Sequence, residues 1–503
     1  MKIRLIISLI AVLFNLSCNK DFLEEKPRSV LTPTGFYTEE AGLEAGLNST
    51  YAALRPIYGE NEAPFRLTLL GTDLFTFGKA EVGLPFDYYD VDLNSFSEEV
   101  AFIWENSYKI VNSANVVIAS APQVEMDDEK RKKIISEAKV LRALSYYWLA
   151  QQFGDVPLRL EPTQGIDVNV TRAAESEVYA AIIKDLNYSI EHLDRQSSEW
   201  GRVTKVAAQH LLSKIYLLTE NWDEAAILAK EVINKSDHRL LENFNSIFDS
   251  ENQINDEIIF SVQYEADFIN SGEGNKTHLY FTNSYSDIPG MKRVLEWGRP
   301  WTRYAPTPYL MNLYNDQKDK RIDIWRTFDD FYYNDESSLP DGKNLGDPID
   351  SIWRNTIEFH PALIKYWDPS RISANDTRGN KDFIVFRLGE AYLIAAEALL
   401  MANKSSEALI YFNTLRQRAA RTGVNFNITE SELDLDMILD ERARELSGEM
   451  HRWFDLKRMN KSLERIKAHS AHGQNIQEFH LLRPLPQNDI DLLETPIEQN
   501  PGY

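Results

Sequence analysis

The sequence predicts a mainly α-helical fold: a tetratricopeptide-like helical repeat scaffold with an irregular, loop-rich excursion that contains short strands. Three observations carry this reading. Apolar residues recur at helical spacing through most of residues 34–243 and 381–460. Two stretches, 203–233 and 383–420, read as helical hairpins of the kind that repeats at a period of about 34 residues. Residues 244–380 lose that period and are rich in Gly, Pro, Asn, Asp and aromatics.

The elements follow in chain order. Residues 34–54 place Phe36, Leu43, Leu47, Tyr51 and Leu54 on one helical face after a cap-like start. Residues 102–119 form a second such stretch, and 127–153 a longer third one that stops at Gly154-Asp155-Val156-Pro157. A fourth covers 175–193. The first hairpin turns near Glu220-Asn221, with Leu212, Tyr216, Trp222 and Ala225 at repeat-like positions. The second carries Ala391, Ala395, Ala396 and Ala398, then Ala408 after its turn. Small residues on one face let helices approach closely, and each hairpin leaves an apolar face that only a neighbour covers. Glu257–Val262 reads as a short strand, and 67–99 as a second irregular insertion.

The chain has 503 residues and a formal net charge of −23. A surface this acidic repels phosphate backbones, so nucleic acid is excluded as a partner. Cys18 is the single cysteine, which rules out an intrachain disulfide and a Cys-rich zinc site. Lys2 and Arg4, the apolar run 5–16 and Ser17-Cys18 have the layout of a secretory leader covering residues 1–17. Leu16-Ser17-Cys18 resembles the end of a bacterial lipobox, with Asn15 where an aliphatic residue is usual. Cys18 is therefore the expected lipidation site, and residues 18–503 the mature unit, taken as one domain. The acidic stretch after it, Asp21 with Glu24-Glu25, resembles the surface-export signal of Bacteroidetes lipoproteins.

Four blocks carry a resemblance to a known family. They are Glu137–Leu149 running into Phe153-Gly-Asp-Val-Pro-Leu158, and Gly201–Lys205 followed by Ala207–Tyr216. The others are Asp440–Leu446 with His451–Arg458, and Leu482–Gln487 with Gln499–Tyr503. Together they resemble the SusD/RagB family in order and cover nearly the whole mature chain. The resemblance implies a tetratricopeptide-type scaffold, a lipid anchor in the outer membrane facing the exterior, and a partner transporter of the SusC type, TonB-dependent. It implies capture of an oligo- or polysaccharide, or, in the RagB branch, of peptides or another nutrient. Within the blocks, Arg142, Arg442, Arg444 and Asp455 read as charges paired inside the helical packing, because unpaired buried charge is costly. Tyr146, Tyr147, Trp148, Trp453 and Phe454 read as core.

No nucleophile elbow, zinc-binding helix, P-loop or complete calcium loop appears, so no catalytic residue, metal or cofactor is assigned. His469 and His472 lie three apart but in a segment that reads as loop. Two other classes stay open: a lipid-anchored glycosidase, which needs only two carboxylates, and a tetratricopeptide assembly scaffold. A sugar presents a C–H face that suits a flat aromatic and a hydroxyl rim that suits Asp, Asn, Gln and Arg. Two irregular segments mix these types. One supplies Phe77, Tyr88 and Tyr89; the other supplies Asn283, Tyr285, Trp297, Arg299 and Trp301. These are the expected ligand-binding residues.

Overall fold

A computed structural model describes residues 36–165, 168–267, 272–314, 317–354 and 356–503. The leader, Cys18 and the first residues of the expected helix at 34–54 lie outside them. The helices form at nearly the positions that the apolar spacing marks. They are α1 (Glu40–Ala52), α2 (Ala63–Leu69), α3 (Leu84–Tyr88), α4 (Glu98–Ser120), α5 (Asp128–Phe153) and α6 (Glu175–His192). Then come α7 (Lys205–Leu218), α8 (Trp222–Lys235), α9 (Leu388–Met401), α10 (Ser405–Arg418), α11 (Leu435–Leu446), α12 (Arg452–Arg458) and α13 (Ser462–His469). Among the described residues no helix is long and apolar enough to cross a membrane.

Local chemistry sets the helix ends. Asp127 caps α5 by accepting from the Lys130 amide at 2.9 Å, and Gly154, with φ of 71°, ends it. Thr204 caps α7 in the same way through the Ala207 amide at 3.3 Å. Both hairpins turn on a non-glycine residue in the left-handed region, Glu220 and Asn403, each with φ of 58°. The second hairpin differs from its expected start: residues 383–387 are a strand, and the helix begins at Leu388. Phe383-Ile-Val-Phe386 is β-branched and aromatic, which favours the extended form.

Helices α4 to α10 pack each on the next, with α1 laid across α4 and α5. This is the stacked array that uncovered hairpin faces require. One contiguous apolar cluster runs from Leu43 on α1 to Ile490 near the C-terminus and includes Tyr146, Tyr147, Trp148, Trp453 and Phe454. The buried polar end of Trp148 is met: its indole donates to the Tyr58 hydroxyl at 2.7 Å. The signature charges are paired too. Arg142 grips Asp185 with two bonds of 2.8 Å, and Arg442 sits 2.7 Å from Asp455.

The excursion carries strands but little sheet. β1 (Phe75–Phe77) pairs antiparallel with β3 (Tyr304–Pro306), β2 (Ile258–Val262) with β6 (Phe383–Arg387), and β4 (Trp325–Arg326) with β5 (Ala362–Leu363). Two devices hold the rest. A small separate core gathers Tyr285, Ile288, Met291, Trp297, Phe331, Tyr333, Ile349 and Phe359. A buried ion network joins the excursion to α11: Arg321, 0 % exposed, reaches Asp319, Glu441 and Glu445 at 2.7–2.8 Å. Arg387 and Arg418 join Glu445 from β6 and α10. Burial pushes the Glu445 carboxyl up, but Arg418, Arg387 and Arg321 outweigh it and hold the group down at about 2.

Candidate functional site

Two chain segments remote in sequence meet at one surface patch. Phe77 ends β1, Tyr88 ends α3, and His472 lies in the loop after α13. Phe77 and Tyr88 are half-buried, so each keeps part of its ring open. The His472 imidazole lies nearly parallel to Phe77, with centroids 5.2 Å apart and planes 15° off. Its centroid is 4.4 Å from that of Tyr88, and Phe77 and Tyr88 stand 5.9 Å apart. The three rings thus pack on one another, stacked and tilted, as one small half-open aromatic cluster, the platform of this patch.

A buried carboxylate fixes it. Asp87 accepts from the Gly71 amide at 2.9 Å, from the Thr76 hydroxyl at 2.8 Å and from His472 Nδ1 at 2.7 Å. Burial pushes the Asp87 carboxyl up, and the bonds from His472 and Thr76 oppose that push. The bond to Nδ1 sets the imidazole plane, and with it the third ring of the platform. Gly71 makes the close approach possible: its φ is +68°, and a Cβ there would fall 2.1 Å from the Phe86 carbonyl oxygen.

Trp301 lies three residues before β3, whose partner strand ends in Phe77. Its ring is half-buried, its amide donates to the Leu279 carbonyl at 3.0 Å, and the Arg303 guanidinium lies over it at 5.0 Å. Lys79 follows β1 and pairs with Asp287 at 3.0 Å and Glu358 at 3.3 Å. Arg299 is half-buried and donates to the Asn375 carbonyl. This edge therefore sets a half-buried ring beside cationic side chains.

Four of the expected residues are elsewhere. Tyr285 is 0 % exposed and Trp297 2 %, both inside the excursion's own core, where their centroids lie 5.2 Å apart. Rings so enclosed present no face to a ligand. Asn283 is fully buried and spends its amide on the His360 carbonyl at 2.9 Å. Tyr89 turns inward, because α3 ends on it with φ of 51°, and its hydroxyl donates to the Gly71 carbonyl at 2.9 Å. The same turn leaves its neighbour Tyr88 facing out.

One contributor, and one open ring elsewhere, were not singled out from the sequence. His472 was weighed only as a partner of His469, yet His469 stacks on Tyr309 at 3.8 Å while His472 joins Phe77 and Tyr88. No local pattern links His472 to Asp87, since the pair is 385 residues apart. Trp367 is 36 % exposed, with its indole donating to the Leu295 carbonyl at 3.2 Å. Its position in an Asp- and Ser-rich loop was the available signal. A cleft of about 860 Å³ lies between α4 and the C-terminal segment. Its Trp104 is 5 % exposed and meets Tyr108 edge-to-face, so it provides no flat platform.

The fold and the patch define a class: a helical-repeat protein that presents aromatic rings from irregular insertions. Comparison with known proteins makes the class specific. The SusD family model matches residues 256–503, and a second model, described as starch-binding associating with outer membrane, matches residues 21–217. The chain belongs to the SusD/RagB family. It is 28% identical to the SusD-like protein P2 of Formosa agariphila, over 96% of each chain. It is 26% identical to the starch-binding protein SusD of Bacteroides thetaiotaomicron, over 75% of this chain and 74% of that one. A laminarin-binding SusD-like protein of solved structure superposes with a TM-score of 0.72 at 24% identity, covering 93% of this chain and all of the other.

Proposed function

We propose that this protein is a non-catalytic glycan receptor of the outer membrane. It captures an oligo- or polysaccharide and delivers it to a SusC-like, TonB-dependent transporter. The single observation that carries the reading is the platform of Phe77, Tyr88 and His472, fixed by Asp87 and flanked by Trp301. Sugar C–H faces stack on such rings, and each contact adds roughly 0.5–1.5 kcal/mol beyond area burial. Starch binding by a relative and laminarin binding by a structural neighbour support this ligand class. The second family model's description supports the membrane assignment. Lipidation at Cys18, facing the exterior, completes the proposal, with residues 18–503 acting as one unit.

Hydrolysis is not part of the proposed role. It requires two carboxyl groups set roughly 5–9.5 Å apart across a bound sugar. Asp87, at the platform, already accepts three hydrogen bonds and is fully buried.

The test is affinity electrophoresis in gels containing laminarin or soluble starch. Phe77→Ala, Tyr88→Ala, His472→Ala and Trp301→Ala are each run beside a thermal melt. The proposal expects the wild-type protein to be retarded. It expects each variant to lose about threefold to tenfold in affinity with little change in melt. Four variants that bind normally would place the ligand on another surface. Polysaccharide cleavage that disappears on changing one carboxylate would replace the receptor reading with a glycosidase.

A further inference from the structure

Two segments of the excursion carry positive charge in a chain whose formal net charge is −23. Residues 291–303 hold Lys292, Arg293, Arg299 and Arg303 against one carboxylate, Glu296. Residues 371–378 hold Arg371 and Arg378 against Asp376. The fold brings the two segments together at Asn375. Arg293 Nη1 donates to the Asn375 side-chain oxygen at 3.4 Å, and Arg299 Nη1 donates to the Asn375 carbonyl. Like charges gathered at one place repel, so the arrangement costs stability until an anion sits among them.

The nearby carboxylates serve other groups. Arg303 has Glu62 at 2.8 Å, and Lys79 has Asp287 and Glu358. Glu296 accepts from the Tyr332 hydroxyl at 3.1 Å, and Asp376 takes the Arg378 amide at 3.0 Å. Arg293 and Arg299 bond only to amide and hydroxyl oxygens; among the described residues neither has a carboxylate at ion-pair distance. Arg293 is exposed, and the nitrogens that Arg299 leaves unbonded reach solvent. Arg371 adds a third guanidinium, 3 % exposed, that lies against Gly298 and donates to the Asp368 carbonyl at 2.8 Å. Burial pulls it below the usual guanidinium value, and Asp368 and Asp376 restore only part of that loss. Arg321, a buried arginine that serves packing, is met by three carboxylates instead.

Open rings border this charge. The Trp367 indole, 36 % exposed, donates at 3.2 Å to the carbonyl of Leu295, which lies between the two arginines in sequence. On the other side, Ser286 is 3.5 Å from Arg293 Nε and precedes Asp287, the partner of Lys79, two residues after Phe77. The charged patch is thus continuous with the platform. A bare inorganic anion needs no ring, and a neutral sugar needs no uncompensated guanidinium. A sugar that bears a carboxylate or sulfate group uses both: its C–H face suits the rings, and its charged oxygens accept paired N–H bonds from a guanidinium fork. We propose that Arg293 and Arg299 form a subsite for the anionic group of an acidic polysaccharide. This rests on the glycan reading above and names the class of glycan.

The test titrates the purified protein in detergent with polygalacturonate, dextran sulfate and laminarin, which carry carboxylates, sulfates and no charge. The proposal expects one charged polymer to bind at least about tenfold tighter than laminarin, with a preference that falls as salt is raised. Which of the two binds identifies the anionic group. Arg293→Gln and Arg299→Gln should each weaken that binding about tenfold and leave laminarin affinity unchanged. The melt of the free protein should stay or rise, because a repulsion is removed; a melt that falls with binding would make the arginines structural and overturn the proposal. Arg239→Gln removes an exposed guanidinium paired with Asp256 and should change nothing. An equal loss there would reduce the effect to diffuse charge and overturn it. Polyglutamate that binds as tightly as the charged glycan would assign the patch to an acidic protein segment instead. Laminarin binding without binding of either charged polymer overturns this inference and leaves the receptor reading standing; no binding of any of the three removes both.

Discussion

The helical array and the excursion solve the same problem with different materials. In the array, backbone bonds are satisfied within each helix, and side chains are free to fill the space between neighbours. Tyr146, Tyr147 and Trp148 go into that packing, and Arg142 takes Asp185 with it. Among its described residues the excursion has short strands in three two-stranded sheets and two helices of four and six residues to order its backbone. It compensates by spending its largest rings on a private core, Tyr285, Trp297, Phe331 and Phe359, and by pinning Arg321 into the carboxylates of α11. The difference teaches that an irregular segment is not thereby an exposed one. Loops that must hold a shape consume aromatics to do so. The rings left for a ligand come from the edges of elements: the end of β1, the end of α3 and the approach to β3 at Trp301.

This contrast can be broken most sharply at the ion network. Arg321→Ala would leave Glu441 and Glu445 short of a partner in full burial, at a cost of about 3–5 kcal/mol. Urea unfolding should show that loss, with Arg321→Lys intermediate. A variant within 1 kcal/mol of wild type would mean that the excursion does not depend on this weld. Trp297→Ala comes next, with about 3–4 kcal/mol expected from loss of a buried indole. Any fall in its glycan binding should follow the fraction unfolded. Lost binding with an unchanged melt would return Trp297 to the binding surface.

Acid gives a third measure. Burial pulls His360 and His451 down to about 4, below their ordinary value of 6.5. The unfolded chain therefore binds these protons first, and stability is full above pH 6.5 and falls towards pH 4. The slope is about 1.4 kcal/mol per pH unit for each such group once the pH lies well inside that window. Below it, Glu445 extends the loss from its ordinary 4.5 towards about 2, since its paired form must be protonated as the pH drops. Denaturant midpoints that stay flat between pH 7 and 4 would show that these histidines are open to water. The smallest stability effect is expected at the patch itself: His472→Ala should change the melt by under about 1 kcal/mol. A larger loss would make the Asp87–His472 pair a structural tie. Separately from stability, Cys18→Ala should move the protein from the membrane to the soluble fraction. Retention there without its transporter partner would overturn the anchor.

The array was legible because its rule is local. Spacing of apolar residues, caps such as Asp127 and stops such as Gly154 sit within a few positions of the structure they cause. The strand at Phe383 was hidden inside a hairpin reading, since its pairing with β2 lies far back in the chain. The proposed site was legible only in part. Residue type and loop context picked out Phe77, Tyr88 and Trp301, but the same two signals picked Tyr285 and Trp297, which differ only in what packs over them. Coverage is a tertiary property, and a sequence read singly holds no record of it. His472 was missed for the same reason.

The Asp87–His472 bond has a consequence for biogenesis. It joins positions 385 residues apart, so the third ring of the platform arrives only when the last part of the chain has folded back on the first. A nascent or truncated chain that stops short of His472 carries Phe77 and Tyr88 without the imidazole that aligns with them. On the proposed binding mode, the full set of three rings is thus in place only when the polypeptide is whole.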